Sequence, residues 1–268
     1  MSAGLSWEQV SAFGDEVELE IEEQLEALAE LGIRHLELRS AGGEPVDLLD
    51  ADQLARCRTA LANTGFDVSA IASPVGKSTL DAPREESAEQ LRRCFHAAAA
   101  LDSKLVRIFS FYVEAGELDA VRGEVHERVG DLAHLAADAG LTLLLENERG
   151  VYGERPERLR ELVDTVRSPA LQVCFDPANF VQAGCDAYPA WELLRDDVAH
   201  VHVKDALPNG DVTVAGSGAG AWPEILADLT AHDYRGWLTL EPHLHFVLEG
   251  DGRTRLRAAA EALKALLG

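Results

Sequence analysis

Residues 171–180 read LQVCFDPANF, and this stretch holds the pattern that decides the fold. Its first five residues are mostly apolar, as in a short buried β-strand, and Pro177 then ends strand pairing because proline has no N–H to donate. Asp176 therefore lies at the end of a buried strand. An unpaired carboxylate is costly to bury, so Asp176 needs partners, and the ends of the other strands are the places to look for them.

Short apolar runs of this kind recur eight times along the chain and alternate with helical patterns. Between the first two runs, Val17, Ile21, Leu25 and Leu28 have the spacing of one helical face, and Gly32 follows as a C-terminal cap. The predicted strands are 10–14, 34–38, 67–72, 105–111, 141–146, 171–176, 199–204 and 236–241. Further helices are predicted to begin near Ala51, Arg84, Glu117, Arg155, Ala187, Ala221 and Thr254.

Repeated strand–helix units require right-handed crossovers and a parallel sheet. Eight such units in 268 residues predict a closed (β/α)8 TIM barrel, with residues 1–268 forming one domain. The alternative is an open doubly wound sheet, but the glycine fingerprint that such folds carry after the first strand is absent from this sequence.

Composition restricts the function. The formal net charge is −23, with 47 acidic residues against 24 lysines and arginines, which disfavours binding to nucleic acid. No apolar stretch approaches the roughly 18 residues of a membrane span, and the first residues do not resemble a secretory signal. The four cysteines show no CxxC spacing. We therefore expect a reduced, cytoplasmic protein without a membrane anchor; a homodimer is left open.

Four strand ends in succession carry groups that bind metals. Glu146 ends the fifth predicted strand and Asp176 the sixth. His202 lies near the end of the seventh strand, and Glu241 ends the eighth. Active sites of TIM barrels lie at the carboxyl ends of the strands, and side-chain alternation lets all four groups point into the barrel.

Three carboxylates and one imidazole suit a single divalent cation, Mn²⁺, Mg²⁺ or Co²⁺ rather than Zn²⁺, in an octahedral shell. Four protein ligands would leave about two positions for substrate oxygens or water. The alternative, in which each acidic residue caps a helix or pairs with an arginine, explains one position more easily than four in succession.

These strand ends and their neighbours resemble the xylose isomerase-like barrel superfamily, in particular its sugar phosphate isomerase/epimerase group. The resemblance covers nearly the whole chain. The pieces that carry it are SAFGDE at 11–16, HLELR at 35–39, SPVGK at 73–77, RIFSFY at 107–112, LLENE at 144–148, FDPANF at 175–180, HVHVKDA at 200–206 and TLEPHL at 239–244.

The resemblance implies that Glu146, Asp176, His202 and Glu241 bind one divalent metal. In the related ketose 3-epimerases, the two metal-bound glutamates also exchange the substrate proton, which implies catalytic roles for Glu146 and Glu241. Two positions depart from that pattern: Asn179 replaces a histidine, and Ser217 replaces an acidic residue.

Six further residues are candidates for contact with the substrate, although one of them, Glu37, could instead lie behind the metal ligands without touching the substrate. Arg107 interrupts an apolar strand, so it either pairs with a carboxylate such as Glu37 or binds a substrate oxygen. Lys77 and Lys204 are two of only four lysines, and Lys204 could instead pair with the acidic cluster. The segment GSGAG at 216–220 is either a phosphate-binding loop or a turn. The full candidate set is Glu37, Lys77, Arg107, Asn179, Lys204 and His243.

Together these features predict a metal-dependent isomerase or epimerase that acts on a small carbohydrate or polyol-derived ketone through an enediolate. A dehydratase of a keto-inositol or sugar acid would use the same intermediate and is the alternative. A type IV DNA-repair endonuclease shares the barrel, but it needs several zinc ions, more histidines and a surface that tolerates DNA. A non-catalytic carbohydrate sensor would not need the complete acid–metal set.

Overall fold

The computed structural model, which describes residues 4–268 apart from the side chain of Phe246, shows a closed barrel of eight parallel strands. Neighbouring strands in sequence are neighbours in the barrel, and the last strand pairs with the first. The predicted TIM barrel is therefore confirmed. The strands are β1 Val10–Phe13, β2 His35–Leu38, β3 Asp67–Ala72, β4 Leu105–Ile108, β5 Thr142–Glu146, β6 Leu171–Phe175, β7 Val198–Val203 and β8 Trp237–Leu240.

Helices cover the outside of the barrel. The α-helices are α1 Ile21–Glu30, α2 Ala51–Thr64, α3 Arg84–Ala100, α4 Arg122–Ala139, α5 Pro156–Val166, α6 Pro177–Gln182, α7 Ala187–Leu194, α8 Trp222–Ala231 and α9 Gly252–Leu267. Two short antiparallel ribbons extend the carboxyl ends of β2 and β7; they pair Ser40–Ala41 with Glu44–Pro45 and Asp205–Ala206 with Val212–Thr213.

Local hydrogen bonds explain where the observed elements differ from the predicted ones. Val17 was predicted on the first helix, but its N–H donates to the carbonyl of Gly14 in a turn, and α1 begins only at Ile21. Helix α4 begins at Arg122 rather than near Glu117, because the preceding residues form turns. The fourth strand ends at Ile108, well before Phe111, whose φ of +68° is incompatible with a strand.

The main hydrophobic core lies between the barrel and its helices. Both faces of the strands are buried, as is usual for a parallel sheet enclosed by helices. All four cysteines are free thiols. Within the described part of the chain, no helix has the length and apolar character needed to cross a membrane.

Inside the barrel the packing becomes polar. Among the buried side chains are Glu37 on β2, Arg107 on β4, and His200 and His202 on β7. Charged groups at such depth must be paired, and their partners define the candidate site.

Candidate metal centre at the carboxyl end of the barrel

The four strand-end residues converge. Glu146 is the last residue of β5, and Asp176 follows β6 directly as the N-cap of α6. His202 lies on β7, and Glu241 follows β8. All four are buried, and one ligand atom from each lies within 4.8 Å of the others. The structure thus brings together the set that the sequence singled out, which we name the four-residue cluster.

Within the cluster, an imidazole and an ammonium group separate the carboxylates. His202 Nδ1 lies 3.2 Å from Glu146 Oε1 and 3.3 Å from Glu241 Oε2. Lys204 Nζ lies 2.7 Å from Asp176 Oδ2 and donates to Glu241 Oε2 at 3.1 Å. Of the two alternatives for Lys204, pairing with the acidic cluster is therefore the one that the structure shows.

Arg107 and Asn179 hold Glu146. Arg107 forms its ion pair with Glu146 Oε2 at 3.3 Å, rather than with Glu37, and its guanidinium lies 4.8 Å from the ring centre of Phe109. Asn179 Nδ2 donates to Glu146 Oε1 at 3.2 Å. Both candidates therefore contact a member of the cluster, and Glu146 has little rotational freedom.

Asn147, for which the sequence predicted no role, fixes the backbone of Asp176. Its amide donates to the carbonyl of Asp176 at 2.8 Å, and its Oδ1 accepts the N–H of Asp176 at the same distance. The N–H of Asn179 then donates to Asp176 Oδ1 at 3.0 Å, the usual N-cap contact. The sequence signal that could have identified Asn147 is its position one residue beyond the end of β5.

Acidic groups outnumber the fully buried permanent cations around the cluster. Its three carboxylates and Glu37 face two such cations, Arg107 and Lys204, and the partly exposed Arg39 approaches Glu241 from the rim. Glu146 Oε2 is buried and accepts no hydrogen bond from any described residue. An oxygen-rich donor set with unbalanced negative charge fits a hard divalent cation.

The pKa values of His202, Asp176 and Glu241 are shifted by the burial and the charges of the cluster. Burial would lower the pKa of His202, but the surrounding acidic groups, Cys174 and Glu146 foremost, raise it well above its ordinary value. Burial raises the pKa of Asp176 to about 6, although the Lys204 ammonium opposes the change. Burial also acts to raise the pKa of Glu241, but Lys204 and other nearby cations hold it well below its ordinary value. Without a metal, His202 is therefore the group that takes up a proton.

At the rim of the barrel, a second group of charged residues surrounds Oε1 of Glu241. His243 Nε2 lies 3.5 Å from Glu241 Oε1 and 3.1 Å from Glu16 Oε1. Arg39, at the end of β2, approaches Glu241 Oε1 to 3.5 Å and donates two hydrogen bonds to Asp15. Glu16, Glu241 and His243 also come within metal-binding distance of one another, and the Arg39 guanidinium lies within 3.6 Å of both carboxylates of this group.

Arg39, Asp15 and Glu16 lie within segments that carry the family resemblance, but the sequence predicted no role for them. The signal that could have identified them is a charged residue at the end of a strand. Lys77, in contrast, pairs with Glu148 at 2.8 Å and lies over the ring of Phe109, so it contacts the neighbourhood of the site rather than the cluster.

The glycine loop at 216–220 binds a group of the protein itself. The N–H groups of Gly216, Gly218 and Gly220 all donate to the carboxylate of Asp205, at 2.8 to 2.9 Å. An added Cβ on Gly218 would lie 2.3 Å from Asp205 Oδ1, so the close approach requires glycine. Of the two alternatives for this segment, the structure shows a turn whose donors are already used, not an open phosphate-binding loop.

A closed barrel that gathers carboxylates and an imidazole at the carboxyl ends of its strands defines a TIM-barrel protein with a site at the usual end of the fold. Residues 25–266 match the model of the xylose isomerase-like TIM barrel family, and the chain belongs to that family. The resemblance inferred from the sequence is confirmed.

Similar proteins include both dehydratases and epimerases. The inosose dehydratase of Bacillus thuringiensis (strain Al Hakam) is 25% identical over 128 residues, which span 41% of this chain and 43% of that protein. The chain therefore matches less than half the length of this curated relative.

Two solved structures share the fold over nearly their whole length. The probable 3-DHS dehydratase AsbF of Bacillus anthracis, involved in petrobactin synthesis, superimposes with a TM-score of 0.79 at 16% identity, covering 96% of this chain and 98% of that one. A D-tagatose 3-epimerase-like protein gives a TM-score of 0.76 at 19% identity, with 96% and 98% coverage. At these identities the likeness shows the fold alone.

Proposed function

We propose that this protein is a divalent-metal-dependent enzyme that enolises a small polyhydroxylated ketone, and that it acts as an isomerase or epimerase. The convergence of Glu146, Asp176, His202 and Glu241 in one buried cluster carries the proposal. These four residues would hold one Mn²⁺, Mg²⁺ or Co²⁺ ion. Such an ion, when bound, polarises a carbonyl and stabilises negative charge on its oxygen by several kcal/mol.

Proton transfer is assigned to Glu146 and Glu241. Glu146 ends β5 and Glu241 follows β8; β6 and β7 separate these strands in the barrel, so the two residues reach the cluster from different directions. One would take the proton from the carbon next to the carbonyl, and the other would return it. Positioned acid–base groups of this kind contribute about 10² to 10⁴-fold each.

The surrounding residues orient these two bases. Arg107 and Asn179 fix Glu146, while Lys204, Arg39 and His243 surround Glu241. The cations keep both carboxylates ionised. His243, whose side chain is 36% exposed, would meet substrate oxygens before the buried Arg107 and Lys204, with a small carbohydrate as the expected ligand class.

A dehydratase of a keto-inositol or sugar acid is the second candidate, and one observation favours it. Lys204 places a buried ammonium 2.7 Å from Asp176 and 3.1 Å from Glu241, where it can hydrogen-bond a hydroxyl that leaves from the carbon beyond the enolate. Asn179, which replaces the histidine of the ketose 3-epimerases, is compatible with this outcome. The name of the curated relative, an inosose dehydratase, also supports it.

The test is a screen for solvent-deuterium uptake by ketoses, ketose phosphates and inososes, with Mn²⁺ present. Uptake into recovered substrate or its epimer supports the isomerase or epimerase. A new α,β-unsaturated or diketone chromophore supports the dehydratase. A protein that binds no divalent ion and catalyses neither change would disprove the proposal.

A further inference from the structure

Glu37 contacts the four-residue cluster through His202. It follows Leu36 on β2, inside the barrel, and is 0% exposed. Its Oε1 lies 3.2 Å from His202 Nε2, and its Oε2 lies 2.6 Å from His200 Nε2. Both oxygens therefore already face imidazole nitrogens, and the substrate contact expected from the sequence does not suit this position.

The two ring nitrogens of His202 face different partners. Nε2 meets Glu37, whereas Nδ1 points to Glu146 Oε1 and Glu241 Oε2 at 3.2 and 3.3 Å. An imidazole that binds a metal offers the lone pair of one nitrogen, and the partner of the other N–H fixes the tautomer and the ring orientation. An ionised carboxylate can only accept hydrogen bonds, so Glu37 would keep the proton of His202 on Nε2 when a metal ion displaces the one on Nδ1.

We propose that Glu37 is a positioning residue that accepts the Nε2–H of His202 and so leaves the Nδ1 lone pair for a divalent ion held together with Glu146 and Glu241. The inference rests on the proposed metal centre. Of the two roles that the sequence left open for Glu37, it chooses the support of a ligand.

Glu37 lies beside an irregularity in the sheet. The pairing of β2 with β3 shifts register opposite Glu37, where Ser69 of β3 is left without a partner. Such irregularities often lie next to functional sites. Glu37 reaches His202 on β7, 165 residues away in sequence.

Neighbouring groups hold Glu37 and His202 in turn. Thr239 Oγ1 lies 2.8 Å from His200 Nε2, which joins β8 to the same network. The rings of Phe13 and His200 pack edge-on against His202, with centroids at 5.3 and 5.4 Å. Hydrogen bonding and packing thus restrict the imidazole to one orientation.

The test compares Glu37→Gln with the wild type and with Ser69→Ala. Mn²⁺ affinity is measured from the electron paramagnetic resonance signal of free Mn²⁺, and the ligand field from the visible spectrum of the Co²⁺ complex. Glu37→Gln should weaken Mn²⁺ binding by at least about tenfold and alter the Co²⁺ spectrum. Ser69→Ala also removes a buried barrel hydrogen bond, the 2.6 Å contact between Ser69 and Ser11, but should leave both readouts unchanged.

A second variant covers the case in which Glu37→Gln does not fold. Glu37→Asp keeps the charge but withdraws it by one methylene, and it should weaken Mn²⁺ binding to a smaller degree. Wild-type Mn²⁺ affinity in whichever of these variants folds overturns the role of Glu37 and leaves the metal centre standing. A wild-type protein that binds no divalent ion overturns both.

Discussion

At the scale of single residues, Glu146 and Glu241 combine metal binding with proton transfer in the proposed reaction. Glutamine keeps the shape of the side chain and one oxygen, but it removes the charge and the basicity. Glu146→Gln and Glu241→Gln should therefore each lower turnover by at least about 10²-fold while the fold is kept.

The measurement is solvent-deuterium exchange into substrate, with metal content determined for every sample. Glu157→Gln, which alters an exposed residue at the start of α5, is the matched control and should exchange at the wild-type rate. A fully metal-loaded Glu146→Gln protein that exchanges at the wild-type rate would show that Glu146 is not the base.

The raised pKa of His202 gives a prediction about pH. At neutral pH the metal-free imidazole carries an extra proton, which a metal ion must displace. Metal binding at pH 7 should therefore release about one proton per ion, and affinity should rise with pH. Below about pH 6, Asp176 also takes up a proton, and affinity should fall more steeply.

Titration calorimetry in two buffers of different ionisation enthalpy counts the released protons. An apparent binding enthalpy that is the same in both buffers, together with an affinity that does not change between pH 6 and 8, would contradict the assigned protonation of His202.

At the scale of the structural elements, the loop after β7 depends on one carboxylate. Asp205 accepts the N–H groups of Ala206, Gly216, Gly218 and Gly220, so the ribbon and the glycine loop converge on it. In Asp205→Asn, an amide N–H₂ would face donors. We expect a loss of about 2 to 4 kcal/mol in the free energy of unfolding, because charged hydrogen bonds are lost and buried donors remain unpaired.

Chemical denaturation measures this loss. Asp211→Asn alters an exposed carboxylate in the segment between the two strands of the same ribbon and should change stability by less than about 0.5 kcal/mol. Equal effects of the two substitutions would show that the buried network around Asp205 does not stabilise the loop.

The strands and helices also show which parts of the site and fold the sequence could predict and which it could not. Glu146, Asp176 and Glu241 were found because each is local to a strand end, and strand periodicity alone places it at the carboxyl edge. The sequence could not choose between the two roles left open for Glu37, because its partner His200 lies 163 residues away in sequence. Helix α6 was missed because it is only six residues long and depends on the Asp176 cap and Pro177.

At the scale of the whole molecule, the barrel was predictable because eight repeats of one unit leave few topologies. The contact of Arg39 with Glu241, in contrast, depends on closure of the barrel, because it needs the last strand to pair with the first. Closure also determines which charges remain outside. Arg56, Arg84 and Arg253 each pair with at least two carboxylates on the surface. Much of the positive charge outside the barrel is therefore neutralised locally.

This charge distribution leads to the last prediction, which concerns DNA. Endonucleases share this barrel, so a duplex with an abasic site is the relevant probe. A net charge of −23 and arginines held in ion pairs oppose the approach of phosphates, so we expect neither binding nor incision at physiological salt. Fluorescence anisotropy and a cleavage assay with Zn²⁺ or Mn²⁺ measure both. Repeating them at low salt strengthens electrostatic attraction to any hidden basic face. Incision at catalytic protein concentrations would place the protein among nucleic-acid enzymes instead of carbohydrate enzymes.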